Sequence, residues 1–562
     1  MKKIIIALLG LIVVIVLVLR GVPLLINSYL NNNADRIVSG MITRTSGFGN
    51  HEVTFGNIKL DYNYFGTYLE IADIKIEPTE EIPTDQVKVN LHLKEAKITG
   101  FRWASFLLDN SIKIDSASLE NLEVLTLTPP IDSLNLEKSE NKKKKLNKDY
   151  DIIGAKCISL KNFNLENRDS RNDSTRLDIN NLSVTAHDFA LSKEDILNPA
   201  SLFDVALVHG EIDDINLHFD DFRQVASLKN LVFDTKDKTM HIENFNLLNK
   251  LDKYAYTTSF EKRKGWIQLK NGKLEVKGMD FDSYLREGIF EIDSLIASNI
   301  ELESFTNKRV PENFEKRPAM VHEIFENVNT SIHIKNTQLK NAHILIEERP
   351  DNAAPRSGTI FFSDLNASIG SISNHKNDEH QEENNLKINA EAMLMGKGKV
   401  NIEINYILDD SLGNFNIRGS LGRINLQEIN TMVEPEAKVR IKSGVINRLD
   451  FNIFANDLEG EGEVIVRYDN LEIELLNDDF VKDKNLLRRI GSFIASKMII
   501  KSQNPRKNGD LQKGTVYAKR IQHKSDFNYW WQLIFSGIKS TVTGEDREAM
   551  IKSANETSAA SK

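Results

Sequence analysis

Cysteine is almost missing: Cys157 is the single one in 562 residues. That excludes an intramolecular disulfide framework and a cysteine-based zinc cluster. It also excludes a lipid-modified cysteine near the start. Stability must come from burial and sheet pairing. Proline is scarce too, at 12 residues, so long regular elements are allowed. The charge balance is mildly acidic, net −9, and gives no reason to expect nucleic acid. Walker loops, dinucleotide fingerprints, nucleophile elbows and HExxH motifs are all missing. Gly396–Lys399 and Gly460–Gly462 lack the strand–loop–helix context of a phosphate site, and turns or bulges explain them. His375 and His380 lie among Asp378, Glu379, Glu382 and Glu383, a solvated loop rather than a rigid ligand shell. Lys142 to Lys145 is a solvated run, and Asp409-Asp410 a turn. No nucleophile, base and orienter converge. The expectation is no enzyme, no cofactor, no metal and no nucleotide.

What is there begins with Lys2-Lys3 and an apolar run from Ile4 to Leu19. Arg20 interrupts it, and Gly21 to Ile26 extends it. Sixteen helical residues rise about 24 Å and twenty-three about 34 Å. A hydrocarbon core of ~30 Å is spanned if Arg20 snorkels to the headgroups. The flanks carry no A-x-A cleavage pattern, so an uncleaved anchor is favoured over a signal peptide. The paired lysines place the N-terminus inside. No second stretch is long enough to span. The expected location is a single pass of the inner membrane with the bulk of the chain in the periplasm.

From about Glu52 to Leu476 the dominant pattern is two-residue alternation. Val87, Val89, Leu91 and Leu93 alternate with polar partners, as do Ile402 and Ile404, and Val464 and Val466. Period two means strands with one apolar and one wet face. A parity shift at Asp469-Asn470 marks a turn or bulge. Short apolar segments recur around Asn, Asp or Gly, as in Ile114–Val124, Ile158–Leu165, Leu228–Phe233, Ile242–Leu247, Leu269–Val276 and Ile332–Ile346. These residues tolerate positive φ and suit kinks that curve a sheet. The spacing fits no named solenoid repeat. Segments 137–148 and 374–385 are polar loops, Ser192 begins a short helix, and 311–327 is a helix with Phe314, Val321, Ile324 and Phe325 on its apolar side.

A one-sided sheet must cover its apolar face, at ~25 cal/mol for each Å². Helical sequence is scarce in the body. A second sheet or a bound apolar ligand remains, and periodicity does not separate them.

After Leu476 the pattern turns helical: Leu486, Leu487, Ile490, Phe493, Ile494 and Met498 form one stripe. A strand over Gly514–Ile521 follows. Phe527, Trp530, Trp531, Ile534, Phe535, Ile538 and Val542 form a second helical stripe, capped by Ser525 or Asp526. That helix is either a membrane-interface element, with Lys519, Arg520, Lys524 and Lys539 nearby, or a cap on the last strand. The cap is favoured. Residues 546–562 form a polar tail.

Gly47–Leu60 and Leu69–Ile76 resemble the opening strands of the AsmA-like family. Ile441–Phe451, Gly460–Val464, Tyr468–Leu476, Lys519-Arg520 and Phe527–Lys539 are similar to the end of its Bacteroidetes-type members. The resemblance implies bridge-like lipid transfer. It implies an N-terminal membrane helix (1–30), a long curled antiparallel β-sheet forming a groove (31–476), a C-terminal capping region with amphipathic helices (477–545) and the tail. By that analogy acyl chains cover the apolar face, and Val87, Val89, Leu91, Leu93, Ile402, Ile404, Val464 and Val466 belong to the groove floor. The implied partners are membrane lipids, with motion passive. At ~13 residues per strand the body gives ~33 strands and a groove of at most ~160 Å. The rival expectation is a structural or assembly factor with a closed sheet and another envelope protein as partner.

Overall fold

The protein is described here from a computed structural model. It describes residues 27–28, 31–32, 51–63, 66–79, 87–129, 151–192, 205–326, 330–374, 385–408, 410, 412–482 and 500–552. The expected anchor, the two polar loops (apart from Asn374 and Asn385), the helix after Ser192 and the 486–498 helix lie outside them. No helix among the described residues is long and apolar enough to cross a membrane.

The chain is mainly β. In order come β1 (His51–Thr54), β2 (Ile58–Asp61), β3 (Thr67–Pro78), β4 (Lys88–Phe101), α1 (Trp103–Leu108), β5 (Ser111–Thr128), β6 (Ile152–Asp169), β7 (Thr175–Ser192), β8 (Leu207–Phe219), β9 (Gln224–Asp234) and β10 (Thr239–Asn249). Then follow α2 (Lys253–Thr258), β11 (Trp266–Lys277), α3 (Phe281–Glu287), β12 (Ile289–Ser298), β13 (Glu301–Asn307), α4 (Val321–Glu326), β14 (Ser331–Arg349), β15 (Gly358–Ile369) and β16 (Ile372–Ser373). The last part holds β17 (Asn385–Leu394), β18 (Gly398–Ile407), β19 (Phe415–Leu421), β20 (Ile424–Asn425), α5 (Asn430–Ala437), β21 (Val439–Ala455), β22 (Glu459–Leu475), β23 (Gly514–Lys519) and α6 (Asp526–Thr543). Strands reach 19 residues, longer than the ~13 assumed, and 23 are found among the described residues against the ~33 expected. Pairing is mixed rather than purely antiparallel: β5 runs parallel to β6, and β12 and β13 run parallel to β14.

Two compact units result, Met1–Glu243 with Asp280–Glu287, and Asn244–Met279 with Gly288–Lys562. In the first, β3 to β9 pair in chain order, with β1 and β2 both on β3. In the second, β14, β15, β17, β18, β19, β21, β22 and β23 pair in succession.

The recurrent Asn and Asp residues have a geometric purpose. Strand side chains alternate with period two. Yet the apolar residues step by three from Ile71 to Ile74, Leu119 to Leu122, Leu160 to Phe163, Ile179 to Leu182 and Leu228 to Leu231. Within each step one residue adopts positive φ: Asp73, Asn121, Asn162, Asn181 and Asn230. The extra residue restores parity, so the apolar set stays on one face through the bend. Asn341 does the same between Leu339 and Ala342, and Asn470 between Tyr468 and Leu471. The Asp469-Asn470 shift is therefore a bulge inside one strand, not a turn. Asn244 is the exception among the flagged segments; it keeps ordinary φ.

The helix expected over 311–327 shrinks to α4. Pro318 bars helix at the residue before it and removes a donor. Phe314 is correspondingly exposed. The tail also departs from expectation: residues 547–552 are helical, Met550 is buried, and Arg547 bonds Glu461 at 2.7 Å.

A duplication is built into the chain. Gly100-Phe-Arg-Trp-Ala-Ser-Phe-Leu, Ile114-Asp-Ser and Asn121-Leu-Glu recur as Gly278-Met-Asp-Phe-Asp-Ser-Tyr-Leu, Ile292-Asp-Ser and Asn299-Ile-Glu. The contacts recur too. Lys156 Nζ lies 2.8 Å from Asp115, and Lys335 Nζ 2.7 Å from Asp293. Asn162 Nδ2 donates to Asn121 at 3.1 Å, and Asn341 Nδ2 to Asn299 at 2.9 Å. In both copies the partner strand is the parallel one.

Candidate functional site

Residues opposite one another on neighbouring strands share a face, so the registers trace the first unit's surface row by row. One row is Leu69, Ile98, Ala117, Ile158, Ala186 and Val208. The next is Ile71, Ala96, Leu119, Leu160, Val184, Gly210 and Phe233. Beyond the bend come Ile74, Leu93 and Leu122, then Phe163, Leu182, Ile212 and Leu231. A fourth row is Ile76, Leu91, Val124, Leu165, Ile179, Ile215 and Leu228. The opposite face is polar, as in Glu70, Lys97, Ser118, Ser159, Thr185, His209 and Asp234.

The apolar rows stay partly open. Leu119 and Leu217 are exposed, and among the described residues of this unit the buried cluster sits at the β3–β4 end, with Ile58, Ile71, Ile74 and Leu93. Among the described residues of this unit, helices reach the face at its margins. Trp103 of α1 donates to Thr67 at 2.6 Å, and Phe281 of α3 stands 6.3 Å from Phe233. Gly210 lets Phe233 lie flat on the sheet, since a Cβ there would stand 2.3 Å from the ring.

One margin is charged. Asp115 and Lys156 lie two residues before Ala117 and Ile158, so they continue the apolar face beyond its first row. Lys156 and Arg102 hold the Asp115 carboxyl below its usual range, chiefly through the Lys156 hydrogen bond. Lys156 is mostly in solvent.

The second unit carries a comparable face under a lid. Its rows include Ile388, Ile404, Ile417, Ile453, Gly462 and Val516, and Ala390, Ile402, Gly419, Phe451, Val464 and Gly514. α6 lies across them. Leu533 and Tyr529 are buried, with Trp530, Ile534, Ile538 and Val542 packed beside them. Trp530 Nε1 donates to the Tyr406 hydroxyl at 3.1 Å. Burial raises the Tyr406 and Tyr529 hydroxyls above the ordinary tyrosine range. Glycines seat the helix: a Cβ on Gly537 would stand 2.4 Å from Val464, and one on Gly514 2.1 Å from the Gly537 carbonyl. Gly460 meets Leu533 in the same way. Of the Gly460–Gly462 pair, Gly460 is thus part of the helix seat, whereas a Cβ on Gly462 would meet the Asn452 carbonyl of β21.

The expected floor residues divide. Val89, Leu91 and Leu93 are on the apolar face of the first unit. Val87 precedes β4 and is exposed. Ile404, Val464 and Val466 are core, at most 3% exposed, with Ile402 packed against them. These residues share one packed cluster with Tyr529 and Leu533 of α6. The helix residues divide as well. Trp530, Ile534 and Ile538 pack inward, whereas Phe527, Trp531 and Phe535 are exposed, with Trp531 and Phe535 stacked at 5.8 Å.

Residues just past the expected anchor are tied to the first unit. Asn31 exchanges two hydrogen bonds with the Leu60 backbone, at 2.7 and 2.8 Å, and Asn27 donates to Asp61 at 2.8 Å. No family model matches the chain, and no curated protein matches it.

Proposed function

We propose that the chain is a membrane-anchored periplasmic protein of AsmA-like type that binds phospholipid-like molecules on the first unit and passes them on passively. It contributes in this way to the upkeep of the cell envelope. The observation that carries this reading is the bent apolar face of β3 to β9, whose rows no described element crosses. At ~4.8 Å between strands, a row that crosses all seven is about 29 Å long. One leaflet's acyl chains occupy about half of a ~30 Å hydrocarbon core, so a row accommodates an extended chain. The charged margin at Asp115 and Lys156 supplies both signs for a headgroup. The Asn31 contacts to β2 support the reading that lipid enters this unit from the anchor side.

A photo-crosslinking residue at Leu119, Leu217 or Val464 of the full chain tests this in cells. Lipid adducts are expected at the first two positions and none at Val464. Protein adducts alone at Leu119 and Leu217 would sink the proposal.

The exposed stripe of Phe527, Trp531 and Phe535 favours a second reading, an assembly factor that docks another envelope protein through α6. In that case crosslinks at Trp531 would recover a stoichiometric partner while Leu119 stays lipid-free.

A further inference from the structure

Four segments of the second unit meet at the start of α6: α4, the turn after β18, the turn between β21 and β22, and Asp526. Val321 N–H donates to Asp526 at 3.0 Å, and Asp457 N–H to the Leu412 carbonyl at 3.0 Å. His322 is buried, 5% exposed. Its Nε2 lies 3.3 Å from Asp457 Oδ2, yet its Nδ1 has no hydrogen-bond partner. Asp457 Oδ1 has none either. Gly413 gives the ring its room, because a Cβ there would stand 2.3 Å from His322 Cε1. One donor atom each from His322, Glu323 and Asp457 lie within 4.8 Å of one another.

The surroundings are rich in carboxylates. Asp410 and Glu323 face Asp457 along with His322 and Arg520. A buried oxygen without a partner, such as Asp457 Oδ1, costs free energy, and a cation relieves it.

We propose that His322, Glu323 and Asp457 form a divalent metal site. An imidazole with two carboxylates suits Zn²⁺. Nε2 faces Asp457 and would be the metal-binding nitrogen, with the ring proton then on Nδ1. At bond lengths of about 2 Å the donors must close further. The ion would therefore draw α4 onto the β21–β22 turn, beside the lid.

The test uses the full chain in detergent, dialysed against chelator and titrated calorimetrically with ZnCl₂. Saturable binding of one Zn²⁺ per chain is expected. His322→Gln and Asp457→Asn should each weaken it at least tenfold, with the circular dichroism of the metal-free protein unchanged. If either variant fails to fold, Glu323→Gln decides on the same tenfold criterion. Absence of saturable binding, or binding that folded variants leave unchanged, overturns the proposal.

Discussion

The two units carry the same kind of sheet and treat its apolar face in opposite ways. In the first, rows such as Leu119, Leu160 and Val184 stay partly in solvent. In the second, Val464, Ile404 and Ile453 lie dry beneath α6. Alternation alone is identical in the two places. The difference lies in the partner, an 18-residue helix that arrives from late in the chain. Its seat is made of small residues, Gly460, Gly514 and Gly537, and the first unit's rows show no such run of glycine. A face meant to be closed from within is thus marked by room for a backbone.

The sharpest way to break this comparison is one charge in each face. Val464→Asp buries a carboxylate with no partner under α6, and it should cost about 4 kcal/mol or more. The expected readout is loss of cooperative thermal unfolding or failure to accumulate folded protein. Leu119→Asp should cost about 1 kcal/mol at most, because that side chain already meets water. Its effect should appear instead in the lipid recovered with the purified chain. Equal destabilisation by the two substitutions would show that the first face is a closed core as well.

Much of this was legible in the sequence. Period two gave the strands, Phe527 to Val542 gave α6, and the punctuating Asn residues marked five of the bends where the backbone turns left-handed. A helical cap on the last strand was expected, but that it closes over Ile404, Val464 and Val466 was not legible, because these alternate just as Val89, Leu91 and Leu93 do. The signal lay in Gly460, Gly514 and Gly537, which become meaningful only once helix and strand are brought together. The duplication was missed because its matching residues are a long way apart and sparse. His322 and Asp457 stand 135 positions apart in the sequence, so no motif spacing could pair them.

The bends are common to both faces, and that sharpens the comparison at a smaller energy. Asn230 bends the open sheet and Asn470 the closed one, with φ of 51° and 54°. Alanine at either position must hold a left-handed backbone, at about 1 kcal/mol. Asn230→Ala and Asn470→Ala should therefore lower stability by similar amounts in denaturant titrations, and glycine should restore most of it. A much larger loss at Asn470 would mean that α6 depends on the bend, rather than merely resting on a sheet that happens to contain one.

The smallest effect belongs to the wet side of the closed half. Glu403 lies opposite Arg418, which donates to both its oxygens at 2.6 and 3.0 Å. The Arg418 hydrogen bonds lead the causes that bring its carboxyl from 4.5 down to about 2. A carboxyl depressed on folding adds stability above its unfolded value, and this is lost as pH falls toward the folded one. The contribution should thus be complete above about pH 4.5 and vanish toward pH 2. Glu403→Gln should flatten the melting temperature of the protein across that window and change little at neutral pH, since solvent screens the pair. A large loss at neutral pH would place Glu403 in a dry interface. The second sheet would then be covered on both faces, and the likeness to the one-sided first sheet would fail.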